Sequence, residues 1–142
     1  MAKITLEQAN TIIAAGFEKG QELDLQPLTI VVLDDGGHLV SVQRQDRSGI
    51  MRFDVAFGKA WGSLGMGRSS RDMEGAVTQR PHFGDALTAV SGGRFVPVAG
   101  GVLAFDGDGI VAGAVGISGD NSDNDEICAI AGIEAAGLAP NG

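Results

Sequence analysis

The chain has 142 residues, of which 44% are hydrophobic and 20% charged, and its formal net charge is −8. This composition is typical of a globular protein with a core, and we treat residues 1–142 as one domain. The negative charge argues against nucleic-acid and anionic-membrane partners. No apolar run approaches the roughly 20 residues of a membrane helix, and the N-terminal segment lacks an apolar secretion signal, so we expect no membrane association and a cytoplasmic location.

The first two predicted elements are a helix and a buried strand. Thr5 and Gln8 have the spacing of a capping box, and apolar residues follow at helical intervals, which predicts a helix over 5–23. The apolar, β-branched run 28–34 predicts a strand that is covered on both faces.

A hairpin follows. The sequence DDGG predicts a tight turn, with a return strand over 38–44. Strict alternation along this strand would place His38, Val40, Val42 and Arg44 on one face. About 20 Å of strand separates His38 from Arg44, so these two side chains are not expected to contact one small group together.

The middle of the chain is predicted to be helical and then irregular. An apolar stripe predicts a helix over 51–66, in which Gly58 and Gly62 would allow close packing against another surface. A short helix near 70–78 is expected next, and then a loop that ends at Pro81.

The C-terminal part is predicted to be a β-meander followed by a helix. Three segments with strand character, 94–100, 101–107 and 109–119, are separated by glycine-rich turns. An acidic cap then precedes an apolar helix over 127–137. Five strands with helices grouped around them predict an α+β fold whose sheet is covered on its faces.

The two histidines are the first candidates for chemistry. His38 follows the two-glycine turn, where it is either a ligand or only the polar edge of the turn, and His82 in its loop is equally ambiguous. Neither belongs to a metal-binding spacing, so a dedicated divalent metal site is not expected. The lone cysteine, Cys128, excludes an intrachain disulfide, and its apolar neighbours favour a buried, inert thiol.

Several cations and glycines could bind an anionic ligand. Arg44, Arg68 and Arg94 are candidates for ion pairs or for anchoring a carboxylate or propionate. The turn at Gly100 and Gly101 could allow a ligand to approach the backbone closely.

Lys59 is a separate candidate, because it lies on the helix with the aromatic stripe. If half-buried, it could have a lowered pKa and act as an acid–base group. Equally, its stem could cover the edge of the stripe while the charge reaches water.

Several motifs resemble one known family. The chain is similar over about residues 3–137 to the GlcG/HbpS family, which includes the C-terminal domain of the PduO-type cobalamin adenosyltransferase, and the matching segments are IVVLDDGGHLVSVQRQD, FDVAFGKAW and GGRFVPVAGGVLAFDGDGIVAGAVGISG. The resemblance implies a profilin-like α/β/α fold with a five-stranded antiparallel sheet, in most members as a homo-oligomer. Several members bind haem, HbpS-like proteins are linked to haem or iron sensing, and other members lie in catabolic gene clusters.

Three functions therefore compete. The first is an oligomeric small-ligand-binding protein for haem or a related tetrapyrrole, with His38, ahead of His82, as the iron ligand and an arginine near the propionates. The second is a small catabolic enzyme acting on a carboxylate-bearing or aromatic molecule, with Lys59 as its acid–base group. The third is an oligomerisation module without chemistry.

Overall fold

The computed structural model describes residues 3–141 and contains five helices and one five-stranded antiparallel sheet. The predicted α+β class is thereby confirmed. In chain order the elements are α1 (Leu6–Glu22), β1 (Thr29–Asp34), β2 (Leu39–Arg44), α2 (Arg52–Met66), α3 (Ser70–Gln79), α4 (Pro81–Val90), β3 (Gly101–Phe105), β4 (Val111–Ser118), α5 (Ser122–Ala135) and β5 (Ala139–Pro140).

Helices cover both faces of the sheet, whose strand order is β2-β1-β4-β3-β5. Alternate residues of β1 supply two cores. Ile30 and Val32 pack with side chains of α1 and α5, whereas Val31 and Leu33 pack with side chains of α2. Strand β1 is buried along almost its whole length, as its continuous apolar sequence predicts.

The first helix begins where the capping box predicts. The Thr5 hydroxyl accepts a hydrogen bond from the Gln8 backbone N–H at 3.0 Å, and the Gln8 side chain accepts one from the Thr5 N–H at 3.0 Å. Two of the otherwise unpaired N–H groups at the start of α1 are satisfied in this way.

Two predictions about the region around residues 80–100 are wrong. Pro81 does not end a loop but begins α4, at a position where its missing N–H costs nothing and its fixed φ suits a helix. Residues 94–100 form no strand, and the fifth strand is instead the short Ala139–Pro140, paired with β3. Segment 94–96 packs against α2, where a methyl group on Gly62 would lie 2.9 Å from the ring of Phe95.

The edge strand β2 contains a bulge. Val32 pairs with Ser41, but the next residue, Leu33, pairs with Leu39, so Val40 is an additional residue without a partner. As a result Val40 packs with the α1-side core and Val42 with the α2-side core, which corrects the strict alternation expected for this strand.

Candidate functional site

The turn between β1 and β2 holds the imidazole of His38 by one edge. Asp34 Oδ1 accepts hydrogen bonds from the N–H groups of Gly36 (2.9 Å) and His38 (3.0 Å), and it lies 3.3 Å from His38 Nδ1. Partial burial acts to raise the pKa of Asp34, but these two N–H groups and the adjacent imidazole hold that pKa below its usual value. The turn therefore presents an ionised carboxylate to one ring nitrogen.

The opposite edge of the His38 ring faces water, since 79% of its side chain is exposed. No group within residues 3–141 forms a hydrogen bond with Nε2. A carboxylate on Nδ1 favours the tautomer with the proton on that nitrogen, and Nε2 then has a free lone pair. This is the arrangement that a histidine needs to bind a metal centre from the surface.

Trp61 lies beside this turn. Gly37 has a φ of +82° and packs against the indole so closely that a methyl group there would lie 3.3 Å from Trp61 Cδ1. The guanidinium carbon of Arg94 lies 4.0 Å from the centre of the Trp61 ring, a cation–π contact. The structure thus places the His38 turn and Arg94, one of the predicted anchoring arginines, around one tryptophan.

Two clefts adjoin Trp61. The first, which we call the hairpin cleft, has a volume of about 160 Å³ and is lined by Asp35, Gly36, Gly37, Trp61, Leu64 and Gly65. The second, which we call the apolar cleft, has a volume of about 180 Å³ and lies between α2 and α4, where it is lined mainly by Trp61, Met66, Leu87, Val90, Ser91 and Phe95. Sequence reasoning assigned Trp61 to the apolar stripe of α2 and missed its position between two clefts.

The other predicted ligand-binding side chains lie elsewhere. Arg44 lines a larger surface groove of about 530 Å³, together with Phe17, Leu25 and neighbouring residues of β2, and no histidine lines that groove. Arg68 is exposed just after α2, and His82 is exposed in the first turn of α4. The groove at Arg44 has no histidine that could bind iron, whereas the turn beside Trp61 has His38. We therefore take the region around Trp61 as the candidate site.

Lys59 is not half-buried but fully enclosed. Its ammonium group donates to the carbonyl oxygen of Ile117 at 2.8 Å and lies 3.2 Å from Asp125 Oδ2, while the other Asp125 oxygen accepts from the Asp120 N–H at 3.0 Å. Only 3% of the Lys59 side chain and 1% of the Asp125 side chain are exposed. Burial lowers the pKa of Lys59 and raises that of Asp125, and their mutual attraction opposes both changes.

The Gly100–Gly101 turn encloses this lysine and lines none of the clefts described above. Gly100 has a φ of +124°, and a methyl group there would lie 2.8 Å from Lys59 Nζ. Gly101 donates its N–H to the Ser70 hydroxyl at 2.7 Å. The two glycines therefore let the chain pass close to Lys59 and α3 in a packed region.

The acidic segment after β4 caps α5. Asn121 is the N-cap, and its side chain accepts from the Asn124 N–H at 2.9 Å. Arg71 pairs with Asp123 and with Glu126, the latter at 3.0 Å. In residues 3–141 no group of three or more histidine, cysteine, aspartate or glutamate side chains is placed to hold a metal ion.

Two further observations concern the thiol and the membrane. Burial, which is the main cause, and nearby carboxylates raise the pKa of Cys128 to about 11, so its thiol is protonated at neutral pH and is a poor nucleophile. In the described part of the chain, none of the helices has the length and apolar character needed to cross a bilayer.

Comparison with known proteins identifies the family. Residues 4–134 match the family described as "Haem degrading protein HbpS-like", and the chain belongs to this family. Protein GlcG of Escherichia coli K12 is 36% identical over 121 residues, which cover 82% of this chain and 83% of GlcG. An uncharacterized 15.0 kDa protein from the dhaT-dhaS intergenic region of Citrobacter freundii is 28% identical over 130 residues, covering 91% of this chain and 89% of the relative.

Solved structures share the fold over nearly the whole chain. The structure of a PduOC:haem complex superimposes with a TM-score of 0.86 at 24% identity and covers 96% of this chain and 97% of PduOC. The ORFY protein of Klebsiella pneumoniae has a TM-score of 0.86 at 26% identity, with coverages of 96% and 92%. A structure of HbpS has a TM-score of 0.80 at 22% identity, with coverages of 94% and 90%.

Proposed function

We propose that this protein binds haem at its surface, where His38 Nε2 would coordinate the iron and the residues of the hairpin cleft would contact the macrocycle. The observation that supports this most directly is the exposed imidazole of His38, which Asp34 holds through Nδ1 beside the indole of Trp61. Membership of the HbpS-like family and the fold shared with a haem complex of PduOC make haem the ligand class to test first.

The surroundings of His38 are suited to the parts of haem that the iron ligand does not touch. Trp61 and Leu64 offer apolar surface to the porphyrin ring. Arg94 stacks on Trp61 and lies within 4.0 Å of no carboxylate in residues 3–141, so its guanidinium is available to a propionate. A largely exposed site of this kind would bind and release haem more readily than a closed pocket.

Hemin titration followed by the Soret band tests this proposal. The parent protein should show a saturable spectral shift at one haem per chain. His38→Ala should weaken binding by about tenfold or more, because an iron ligand is lost, whereas His82→Ala should bind as the parent does. If His38→Ala binds hemin normally, the histidine is only the edge of its turn and the proposal fails.

The carboxylate behind the imidazole provides a second test. Asp34→Asn keeps an acceptor for the two turn N–H groups but removes the charge facing Nδ1, so hemin affinity should fall by about tenfold while the folded far-UV spectrum is kept.

A matched pair of variants, Arg94→Gln and Arg44→Gln, tests which arginine contacts the propionates. The proposal expects weaker hemin binding in Arg94→Gln and unchanged binding in Arg44→Gln. Weaker binding in Arg44→Gln alone would move the site to the 530 Å³ groove.

We also propose that the protein functions as a homo-oligomer in the cytoplasm, as expected from its sequence and its family resemblance. An enzymatic role for Lys59 stays a prediction. In this structure it would require a movement that exposes the ammonium group, which Ile117 and Asp125 now enclose.

A further inference from the structure

The apolar cleft has features of a small-molecule site that haem binding does not require. Its walls are the indole of Trp61, the ring of Phe95 and the side chains of Met66, Leu87 and Val90. Helix α4 forms one wall, and none of its residues is buried although five of its ten residues are apolar Phe, Ala, Leu or Val. The space between α2 and α4 is thus bordered by apolar groups on both sides and is not closed by packing.

One cation, Arg94, is in contact with the lining of this cleft. Arg94 donates from Nε to the Ser91 carbonyl at 2.9 Å and stacks on Trp61, so it contacts two of the residues that line the cleft. These contacts fix the guanidinium and leave its terminal N–H groups without a carboxylate partner in residues 3–141. A positioned guanidinium with free N–H groups is well suited to a carboxylate, which it can bind through two parallel hydrogen bonds.

The cleft volume limits the size of the ligand. An apolar protein cavity of about 150 Å³ takes up benzene, and the cleft here measures about 180 Å³. This is room for one aromatic ring with a short substituent and not for a porphyrin. Trp61 and Phe95 are present to stack or pack edge-on with such a ring.

We propose that the apolar cleft binds a small aromatic monocarboxylate, with its ring against Trp61 and Phe95 and its carboxylate on Arg94. The ring alone would gain only the burial of apolar surface. The carboxylate adds a charge-assisted pair with a cation that is already oriented, so the protein should discriminate strongly between a benzoate and a neutral analogue of the same shape.

The chain contains one tryptophan, so its fluorescence reports on the two clefts that adjoin Trp61, and the Leu87→Phe variant assigns a change to the apolar cleft. We would titrate the full-length protein with benzoate, with benzyl alcohol as a neutral ring and with acetate as a carboxylate without a ring, and measure the same affinities by calorimetry. Benzoate should give a saturable change and bind at least about tenfold more tightly than either of the other two, the ratio expected for one charge-assisted contact.

Variants separate the contribution of the charge from that of the cavity. Arg94→Gln should weaken benzoate binding about tenfold and leave benzyl alcohol within about twofold, while Arg44→Gln, the same change in a different groove, should alter neither. Leu87→Phe fills the cleft and should abolish both. Circular dichroism and thermal melting establish that each variant is folded. A variant that is not folded is replaced by Arg94→Met, which also removes the charge, or by Val90→Phe, which adds a ring at another lining residue of the cleft.

Several results would overturn the proposal. Equal affinities for benzoate and benzyl alcohol, no saturable binding by calorimetry, or normal benzoate binding by Arg94→Gln would each do so. Benzoate could also lower the particle mass, and Leu87→Phe could lower it in the same way without benzoate. That result would overturn the proposal, because the cleft would then be the place where a second copy of the chain binds. His38→Ala should keep benzoate binding whether or not hemin binds, so this proposal and the haem proposal can fail separately.

Discussion

Lys59 and Asp125 form a buried ion pair between two positions that are 66 residues apart in the sequence. Each charge loses its water on folding, and the loss is offset by their mutual attraction and by one backbone hydrogen bond on each side. The arrangement is stable only while both partners are present. Removing one leaves an unpaired charge in a dry interior, which costs far more than the pair gains.

We therefore expect Lys59→Met to lower the free energy of unfolding by about 3–5 kcal/mol. The double variant Lys59→Met/Asp125→Leu should recover a large part of this loss, because no buried charge then remains. Lys19→Met is a suitable control, since Lys19 pairs with Glu22 near the surface, and it should change stability by less than about 1 kcal/mol. Urea unfolding measures all three, and a Lys59→Met protein as stable as the parent would refute this structural role.

Asp120 offers a prediction about pH. Its carboxylate accepts hydrogen bonds from the Asn124 side chain and from the N–H groups of Gln26 and Asn121, and these bonds hold the pKa of Asp120 below its usual value. A pKa lowered by folding stabilises the protein at pH values above the unfolded pKa, and this contribution disappears as the pH falls through the folded value.

Accordingly, Asp120→Asn should be less stable than the parent by about 1 kcal/mol at pH 7. The difference should shrink toward zero as the pH falls below about 4, because the parent carboxyl then becomes protonated as well. Denaturant unfolding at several pH values measures it, with Asp85→Asn, a change in an exposed residue of α4, as the control. A difference that stays constant from pH 7 to pH 3 would contradict the assignment.

At the scale of whole elements, α2 lies directly on β4. The two approach so closely that a methyl group on Gly116 would overlap the carbonyl oxygen of Ala56, and would lie 3.1 Å from the Ala60 methyl. Such contact is possible only where one surface has no side chain. Gly58 and Gly62 act in a similar way toward segment 94–96, so the close packing expected at these two glycines occurs within the chain.

Two glycine-to-alanine changes should therefore have opposite effects. Gly116→Ala should cost at least about 2 kcal/mol, because α2 must move away from the sheet. Gly75→Ala lies within α3, where a methyl group would meet nothing within 4 Å, and it should stabilise the protein by about 0.5–1 kcal/mol. Thermal melting of both variants checks this, and equal melting temperatures would contradict it.

The elements that the sequence predicted correctly are those with a strong local pattern. The capping box at Thr5 and the apolar run of β1 have signals that need no tertiary information. Helix α4 was missed because a proline in the sequence was read as the end of a segment, although Pro81 occupies the first position of a helix. Strand β5 was missed because two residues are too few to form a recognisable pattern. The bulge at Val40 depends on how β2 meets its neighbour, which no spacing along one strand reveals.

The candidate site was only partly predictable for the same reason. His38 and Arg94 could be named from their residue types, but their common neighbour, Trp61, follows from the packing of α2 against the hairpin and segment 94–96. Likewise, Lys59 could be chosen as an unusual lysine, whereas its partner Asp125 comes from a distant helix. Sequence alone supplies the chemistry of such groups, and the fold decides which of them meet.

For the whole molecule, one exposed apolar patch is the most direct indication of assembly. Ile50 is 87% exposed, Met51 is 69% exposed and Phe53 is 37% exposed, and they lie just before α2 or in its first turn. Three apolar side chains in contact with water within four residues of the chain are typical of an interaction surface. We expect this patch to contribute to a homo-oligomer.

Light scattering at micromolar concentration should accordingly give a particle larger than the 14.5 kDa chain. Ile50→Asp combined with Met51→Asp should shift the mass toward that of the monomer, because burying two carboxylates in an interface is unfavourable. Leu6→Asp changes an exposed leucine at the start of α1, outside this patch, and serves as the control that should leave the mass unchanged. A parent protein that is already monomeric would exclude assembly through this patch.

The two edge strands of the sheet bear on whether copies of this chain can associate by pairing strands. One border is β2, whose ladder is interrupted at Val40, and the other is β5, which has two residues and ends in Pro140, a residue with no N–H to donate. Within residues 3–141, neither border presents a long, regular row of unpaired N–H and C=O groups to another strand. Growth into fibres by strand addition is thereby disfavoured, and the molecule can expose apolar side chains for binding with less risk of aggregation.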